Sequence, residues 1–126
     1  MKTTTEIGRY GENVAADYLK NKKYKILDQN FHASHNEIDI IAEDKKYIVF
    51  VEVKTRSYSP TSAFEYETPA SAVTFTKQKR VLAAAQTYLN LHPTNKIPRL
   101  DVIEVYLSKQ PLKVEKINHI EDAFTY

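Results

Sequence analysis

Cysteine and tryptophan are both absent from the 126-residue sequence. Without cysteine there is no disulfide framework, no thiolate metal site and no thiol nucleophile. No stretch approaches the ~18 to 20 apolar residues of a membrane helix. The opening Met1 to Glu6 has no apolar core of the signal-peptide kind. A cytoplasmic domain with no membrane contact is therefore expected. Internal repeats, low-complexity tracts and interdomain linkers are missing as well, so residues 1–126 read as a single domain with one core. An excess of either charge is lacking too: 18 Lys and Arg against 16 Asp and Glu leave a net charge of only +2, which does not announce a nucleic-acid binder.

The distribution of charge says more than its sum. Lys20, Lys22, Lys23 and Lys25 cluster without an acid, and between Thr68 and Leu100 the chain carries Lys77, Lys79, Arg80, Lys96 and Arg99 and no acidic residue. Brought to one face, these would attract phosphate. On charge alone they read as two solvated helix ends.

What organises the chain is the stretch from Glu37 to Lys54. Two β-rich apolar runs, Ile38 to Ala42 and Ile48 to Val53, flank a polar turn at Asp44 to Lys46, and both contain ionisable residues. Alternation along a strand puts Glu37 and Asp39 on one face of the first run, and Glu52 and Lys54 on one face of the second. Folded as an antiparallel hairpin, the segment sets Asp39 opposite or nearly opposite Glu52 and on the same side of the sheet. Carboxylates gathered on an apolar sheet are costly unless something positive shares the patch.

Around this hairpin the order is helix, three strands, helix, two strands. Thr3 and Glu6 fit a capping box. Ile7, Tyr10, Gly11, Val14, Ala15, Tyr18 and Leu19 then form a helical stripe, within which Gly11 signals close backbone approach. Glu12 lies at the edge of the stripe and, taken alone, reads as a solvated flank residue. A strand is predicted over Tyr24 to Phe31, followed by a polar turn, His32 to Asn36, whose His32 and His35 read as ordinary loop residues. A long polar loop leaves the hairpin after Lys54 and runs to Ala72; loops of this length inside a compact domain are usually functional or mobile. Thr74 or Thr76 caps a helix to about Leu91 with Phe75, Val81, Leu82, Ala85, Tyr88 and Leu89 facing inward, and Gln78 falls inside that stripe. Arg99 to Leu107 is a strand containing Asp101 and Glu104. A short edge strand, Leu112 to Ile117, and a last helical turn, His119 to Phe124, complete the chain. The crossover through the second helix makes a parallel βαβ unit. The result is an α/β fold, a central mixed sheet of about five strands flanked by helices.

Three explanations compete for the carboxylates. Lys54 and Arg56 could neutralise Asp39 and Glu52 in an ion-pair network. The acids could form a proton-sharing pair as in glycosidases, although a small sheet without a tryptophan platform suits that poorly. Or they could hold a divalent ion: oxygen ligands suit Mg²⁺, commonly bound by one or two carboxylates plus phosphate and water. The third accounts for the most, since it also gives a role to the nearby lysine and to the basic flanks.

Asp39 followed after a hairpin by Glu52-Val53-Lys54 resembles the D…E-x-K arrangement of the PD-(D/E)xK nuclease superfamily. With Glu12 on a preceding helix it is similar to the branch containing Holliday-junction resolvases. Gly8 to Glu12, Asn30-Phe31, Glu37 to Ile41, Phe50 to Arg56, Lys77 to Arg80, Arg99 to Val102 and His119 to Phe124 together resemble the YraN-like family of small bacterial endonuclease-like proteins over nearly the full length. The resemblance implies a restriction-endonuclease-like core and metal-dependent hydrolysis of DNA, including branched DNA. It also implies Mg²⁺ or Mn²⁺ on Asp39 and Glu52 with the Val53 carbonyl as a further ligand, Lys54 steadying water and phosphate charge, and Glu12 and Gln78 completing the catalytic set. Arg56, Lys77, Lys79 and Arg80 would contact nucleic acid, and resolvase-like relatives suggest a homodimer. The alternative is a nucleic-acid-binding module that keeps the scaffold without turnover. One departure stands out: where the family's turn before Glu37 usually carries an arginine and a glycine, this chain has His32 and Asn36. Asn36 is expected to preserve the turn because asparagine tolerates left-handed backbone.

Overall fold

The structure, a computed structural model, describes residues 4–58, 74–109 and 111–124. Helix α1 (Thr4–Asn21) leads into strands β1 (Lys25–Ala33), β2 (Asn36–Glu43) and β3 (Tyr47–Ser57); α2 (Phe75–Leu91) follows, then β4 (Ile97–Lys109) and β5 (Leu112–Ile120). The strands form one sheet in the order β1-β2-β3-β4-β5. β3 and β4 are parallel and every other pair is antiparallel. A five-stranded mixed sheet flanked by two helices results, an arrangement compatible with a restriction-endonuclease-like core. The capping-box residue Thr3 and the loop over positions 59–73 lie outside the described residues.

Alternation divides the core. Val49 and Val51 of β3 and Ile103, Val105 and Leu107 of β4 pack with Ala15, Ala16 and Leu19 of α1. Ile48 and Phe50, with Leu100 and Val102, pack with Val81, Ala84, Ala85 and Tyr88 of α2. Strands covered on both faces need apolar residues at successive positions, and Ile48 to Val51 supply them. Gly11 faces Thr55 so closely that a Cβ at this position would run into the threonine side chain. The missing side chain is what lets α1 cross β3 there.

The pairing of β2 with β3 sets up the site. It runs from Glu43–Ile48 to Ile40–Val51. Beyond that point Asn36 to Ile38 of β2 stay with β1, while Glu52 to Ser57 of β3 stay with β4. The two central strands thus diverge, leaving a notch in the sheet.

Three sequence expectations are corrected. Phe75 does not face inward but is 70% exposed, because the first helical turn overhangs the packed part of the sheet; Lys79 Nζ lies 4.6 Å from its ring centroid instead. The residues from His119 form no helical turn, since β5 continues to Ile120 by pairing with Val102, and the chain then bends at Asp122, where φ is 54°. The Ala123 N–H donates to the Leu100 carbonyl at 2.7 Å, which seats Phe124 in the α2-side core. The left-handed residue in the turn between β1 and β2 is Ser34, with φ 60°, and Asn36 already pairs with Ala33.

Candidate functional site

Asp39 and Glu52 meet at the mouth of the notch. The register that pairs Ile40 with Val51 brings Asp39 opposite Glu52 one step further on. Ladder hydrogen bonds have ended there, and the Val53 N–H donates instead to Asp39 Oδ2 at 2.8 Å. N–H and C=O of one strand residue point to the same neighbour, so the Val53 carbonyl is also turned toward the notch. Local geometry alone therefore brings two carboxylates and a backbone oxygen together.

Both acids are buried, at 6% and 5% exposure. Burial holds the Asp39 carboxyl above its ordinary range, against the opposing pull of the Val53 N–H and the Lys77 ammonium. Burial and the Asp39 charge push Glu52 up to about 7, with Lys77 and Lys54 opposing. Glu52 Oε2, buried, has no donor within reach. Its other oxygen faces two ammonium groups at long range, Lys77 at 3.7 Å and Lys54 at 3.9 Å. These distances give Coulombic attraction without a hydrogen bond.

Glu12 approaches from α1. It lines a cavity of about 290 Å³ with Gly8, Val53, Thr55 and Ser57, and a second of about 340 Å³ with Arg9 and Asn30. Burial and the Asp39 charge raise its carboxyl, while a hydrogen bond from the Asn30 side chain opposes them. Asn30 interrupts β1 with φ 57°, at the position between the Gln29–Ile40 and Phe31–Ile38 pairs and so across from Asp39. Sequence reasoning quoted Asn30 without giving it a role. The signal was its type, since asparagine is among the few residues that enter left-handed backbone readily. Glu12 is near but does not join a ligand cluster: among the described residues no three Asp, Glu or His side chains converge on one ion position.

The remaining predicted residues sort by position. Gln78 lies half-buried in α2, beside Lys77, on the stripe continued by Val81, Ala85 and Tyr88. Lys79 and Arg80 are exposed on the same two helical turns. Arg56 Nε donates to Glu104 Oε2 at 2.8 Å, and Arg56 also lines the cavity of about 290 Å³ with Glu12 and Val53. Glu37 pairs with His32 Nε2 at 2.9 Å, and His32 Nδ1 lies 2.8 Å from the Asn30 carbonyl. The lysines from Lys20 to Lys25 sit at the opposite end of the sheet, where Lys25 pairs with Glu43. Lys96 and Arg99 are there too, bound to Glu43 at 3.2 Å and to Asp101 at 2.9 Å. Those lysines and Arg99 therefore do not share a face with the acids; among the described residues Lys77 and Lys54 stand at Glu52, and Arg9 and Arg56 line the cavities beside Glu12.

A second buried acid, Asp101, is fully satisfied. It accepts from Arg99 Nε and Nη2, both at 2.9 Å, from the Asp122 N–H at 3.0 Å, and pairs with His119 Nε2 at 2.7 Å. Burial would raise this carboxyl, but His119 and Arg99 outweigh it and hold it below its ordinary range. Tyr18 Oη reaches His119 Nδ1 at 3.1 Å and Tyr24 Oη accepts from Arg99 at 2.6 Å. The cluster ties α1 and Tyr24, the residue before β1, to β4 and β5.

No helix among the described residues is long and apolar enough to cross a membrane. The model of the uncharacterised protein family UPF0102 matches residues 11–105, a span that contains every candidate residue named above. A UPF0102 protein of Caldanaerobacter subterraneus subsp. tengcongensis is 45% identical over 119 residues, covering 94% of this chain and 93% of that one. UPF0102 proteins of Clostridium botulinum strains Loch Maree and Hall are 48% and 49% identical over 107 residues, covering 82% of this chain and 81% of theirs. The chain belongs to the UPF0102 family.

Proposed function

We propose that the protein is a metal-dependent nuclease hydrolysing DNA phosphodiester bonds, with structured or branched DNA as its substrate. The observation that carries this is the buried Asp39–Glu52 pair at a break in the sheet, with one oxygen lacking any donor. Two carboxylates and the Val53 carbonyl form an all-oxygen donor set that suits Mg²⁺ or Mn²⁺, completed by water and phosphate. When bound, such an ion activates water and offsets charge building on the phosphoryl oxygens. Lys54, one-third exposed beside Glu52, is placed to steady the attacking water and the developing charge. Glu12 would complete the site from α1 and Gln78, next to Lys77 in α2, would do so from the other helix, while Lys77, Lys79 and Arg80 offer cations to the DNA backbone at the start of α2. Arg56, held through Nε by Glu104 and lining the cavity beside Glu12, would add a further cation. The resemblance to resolvases supports a homodimer.

The test is cleavage of linear and four-way-branched DNA with Mg²⁺ or Mn²⁺, comparing the native chain with Asp39→Ala. Metal-dependent cutting lost in the variant is expected; no metal-dependent cutting of any substrate sinks the proposal. One observation favours a second reading, a DNA-binding module without turnover: Glu12 does not close a three-acid cluster with Asp39 and Glu52. On that reading salt-sensitive DNA binding survives Asp39→Ala.

A further inference from the structure

Lys77 lies in the first turn of α2, where unsatisfied backbone N–H groups already make the local potential positive. A lysine is electrostatically misplaced there, and the turn holds no acidic residue to offset it. The offset comes from β3. Lys77 Nζ stands 3.7 Å from Glu52 Oε1, nearer than Lys54 at 3.9 Å. Its charge also acts on Asp39. The placement is built in, because Thr74 caps α2 by accepting the Lys77 N–H at 3.1 Å. Yet the ammonium neutralises without satisfying: its distance is too long for a hydrogen bond, and Glu52 Oε2 keeps no donor.

We propose that Lys77 is the internal counter-cation of the Asp39–Glu52 pair, holding the place of a divalent ion and displaced when one enters, its ammonium then passing to the nucleic-acid phosphate. This rests on the metal-site reading above. Lys77 and Lys54 both face Glu52 Oε1 at long range, whereas a doubly charged ion can balance both carboxylates and coordinate the oxygen that the lysines leave bare. The exchange is sterically simple, since a lysine head rides on a flexible four-carbon stem and this side chain is 31% exposed. Lys54 is the other cation on Glu52. It belongs to the same strand and lies further off, so its influence on an incoming ion is the smaller.

The experiment measures Mn²⁺ binding to the full chain by calorimetry at about pH 8.5, well above the ordinary carboxyl range. Native protein is compared with Lys77→Met and Lys54→Met. Lys77→Met is expected to bind Mn²⁺ on the order of tenfold more tightly because a competing charge is gone, and Lys54→Met to gain less. In parallel, acetylation of native Lys77, read by mass spectrometry, should speed up when Mn²⁺ saturates the site. Equal Mn²⁺ affinity in native and Lys77→Met protein, or Lys77 labelling indifferent to Mn²⁺, overturns the proposal and leaves the metal site standing. Absence of Mn²⁺ binding in every form overturns both. The labelling arm uses only native protein, so it decides even if a variant folds poorly.

Discussion

Val53 gives its backbone N–H to the side chain of Asp39, at 2.8 Å, where β2 and β3 have stopped pairing. A carboxylate thus stands in for a ladder carbonyl, and the acid is fixed by the strand that carries its partner Glu52. Asp39→Asn keeps an acceptor for this N–H and removes the charge; Asp39→Ala strands the N–H. Urea denaturation should therefore find the asparagine variant more stable than the alanine variant by on the order of 1 to 2 kcal/mol, the cost of a buried donor left unmet. Equal stabilities would mean that the hydrogen bond contributes nothing to the fold.

Glu52 makes stability fall with rising pH. Its carboxyl is raised from 4.5 to about 7 in the fold, so between those values the folded state binds more protons than the unfolded chain. Its contribution is complete below the unfolded value and is lost as pH climbs through the folded one. A loss on the order of 2 kcal/mol is expected across that window. Glu52→Gln should flatten the curve. A native profile that is already flat would contradict the burial argument, and saturating Mg²⁺ should restore stability at neutral pH by occupying the ionised pair.

Asp101 behaves in the opposite sense. Its carboxyl is held below the ordinary 3.8, so its contribution is present above that value and disappears as pH falls through the lower, folded one. Asp101→Asn leaves the buried Arg99 with only the exposed Glu121, at 3.8 Å, to balance its charge. A destabilisation of about 3 to 5 kcal/mol is expected, with Glu52 and its neutral-pH slope unaffected. Denaturation of the variant near pH 6 gives the answer.

Gly11 should tolerate no side chain. An added Cβ meets Thr55 Oγ1, Cβ and Cγ2, so Gly11→Ala must push α1 off β3 or displace the threonine. A loss of about 1 to 3 kcal/mol is expected. Thr55→Ala in the same chain should recover part of it, because two of the three obstructing atoms go. Gly8, with nothing near its Cβ direction, should accept alanine without that loss, and thermal melts of the three variants separate the cases.

Local pattern determined most of the architecture. The alternation of Ile38 to Ala42 and Ile48 to Val53, with the Asp44 turn between them, was enough to place Asp39 opposite Glu52, because hairpin register follows from turn position and side-chain period. The stripe of α1, the tightness at Gly11 and the cap at Thr74 were legible for the same reason: each is set by residues within a turn or two of one another. What adjoins what across the sheet was not. Strand divergence after Ile40 and Val51 depends on pairing with β1 and β4, and only that divergence aims Asp39 and the Val53 carbonyl into a notch. Packing of α2 on the sheet turned Lys77 from a surface cation into the nearer of two cations facing Glu52, and packing of β4 gave Arg56 a partner in Glu104. The hairpin acids were fixed by local periodicity. Their burial, their coupling and the lysine that answers them were decided by long-range packing, which no local pattern encodes.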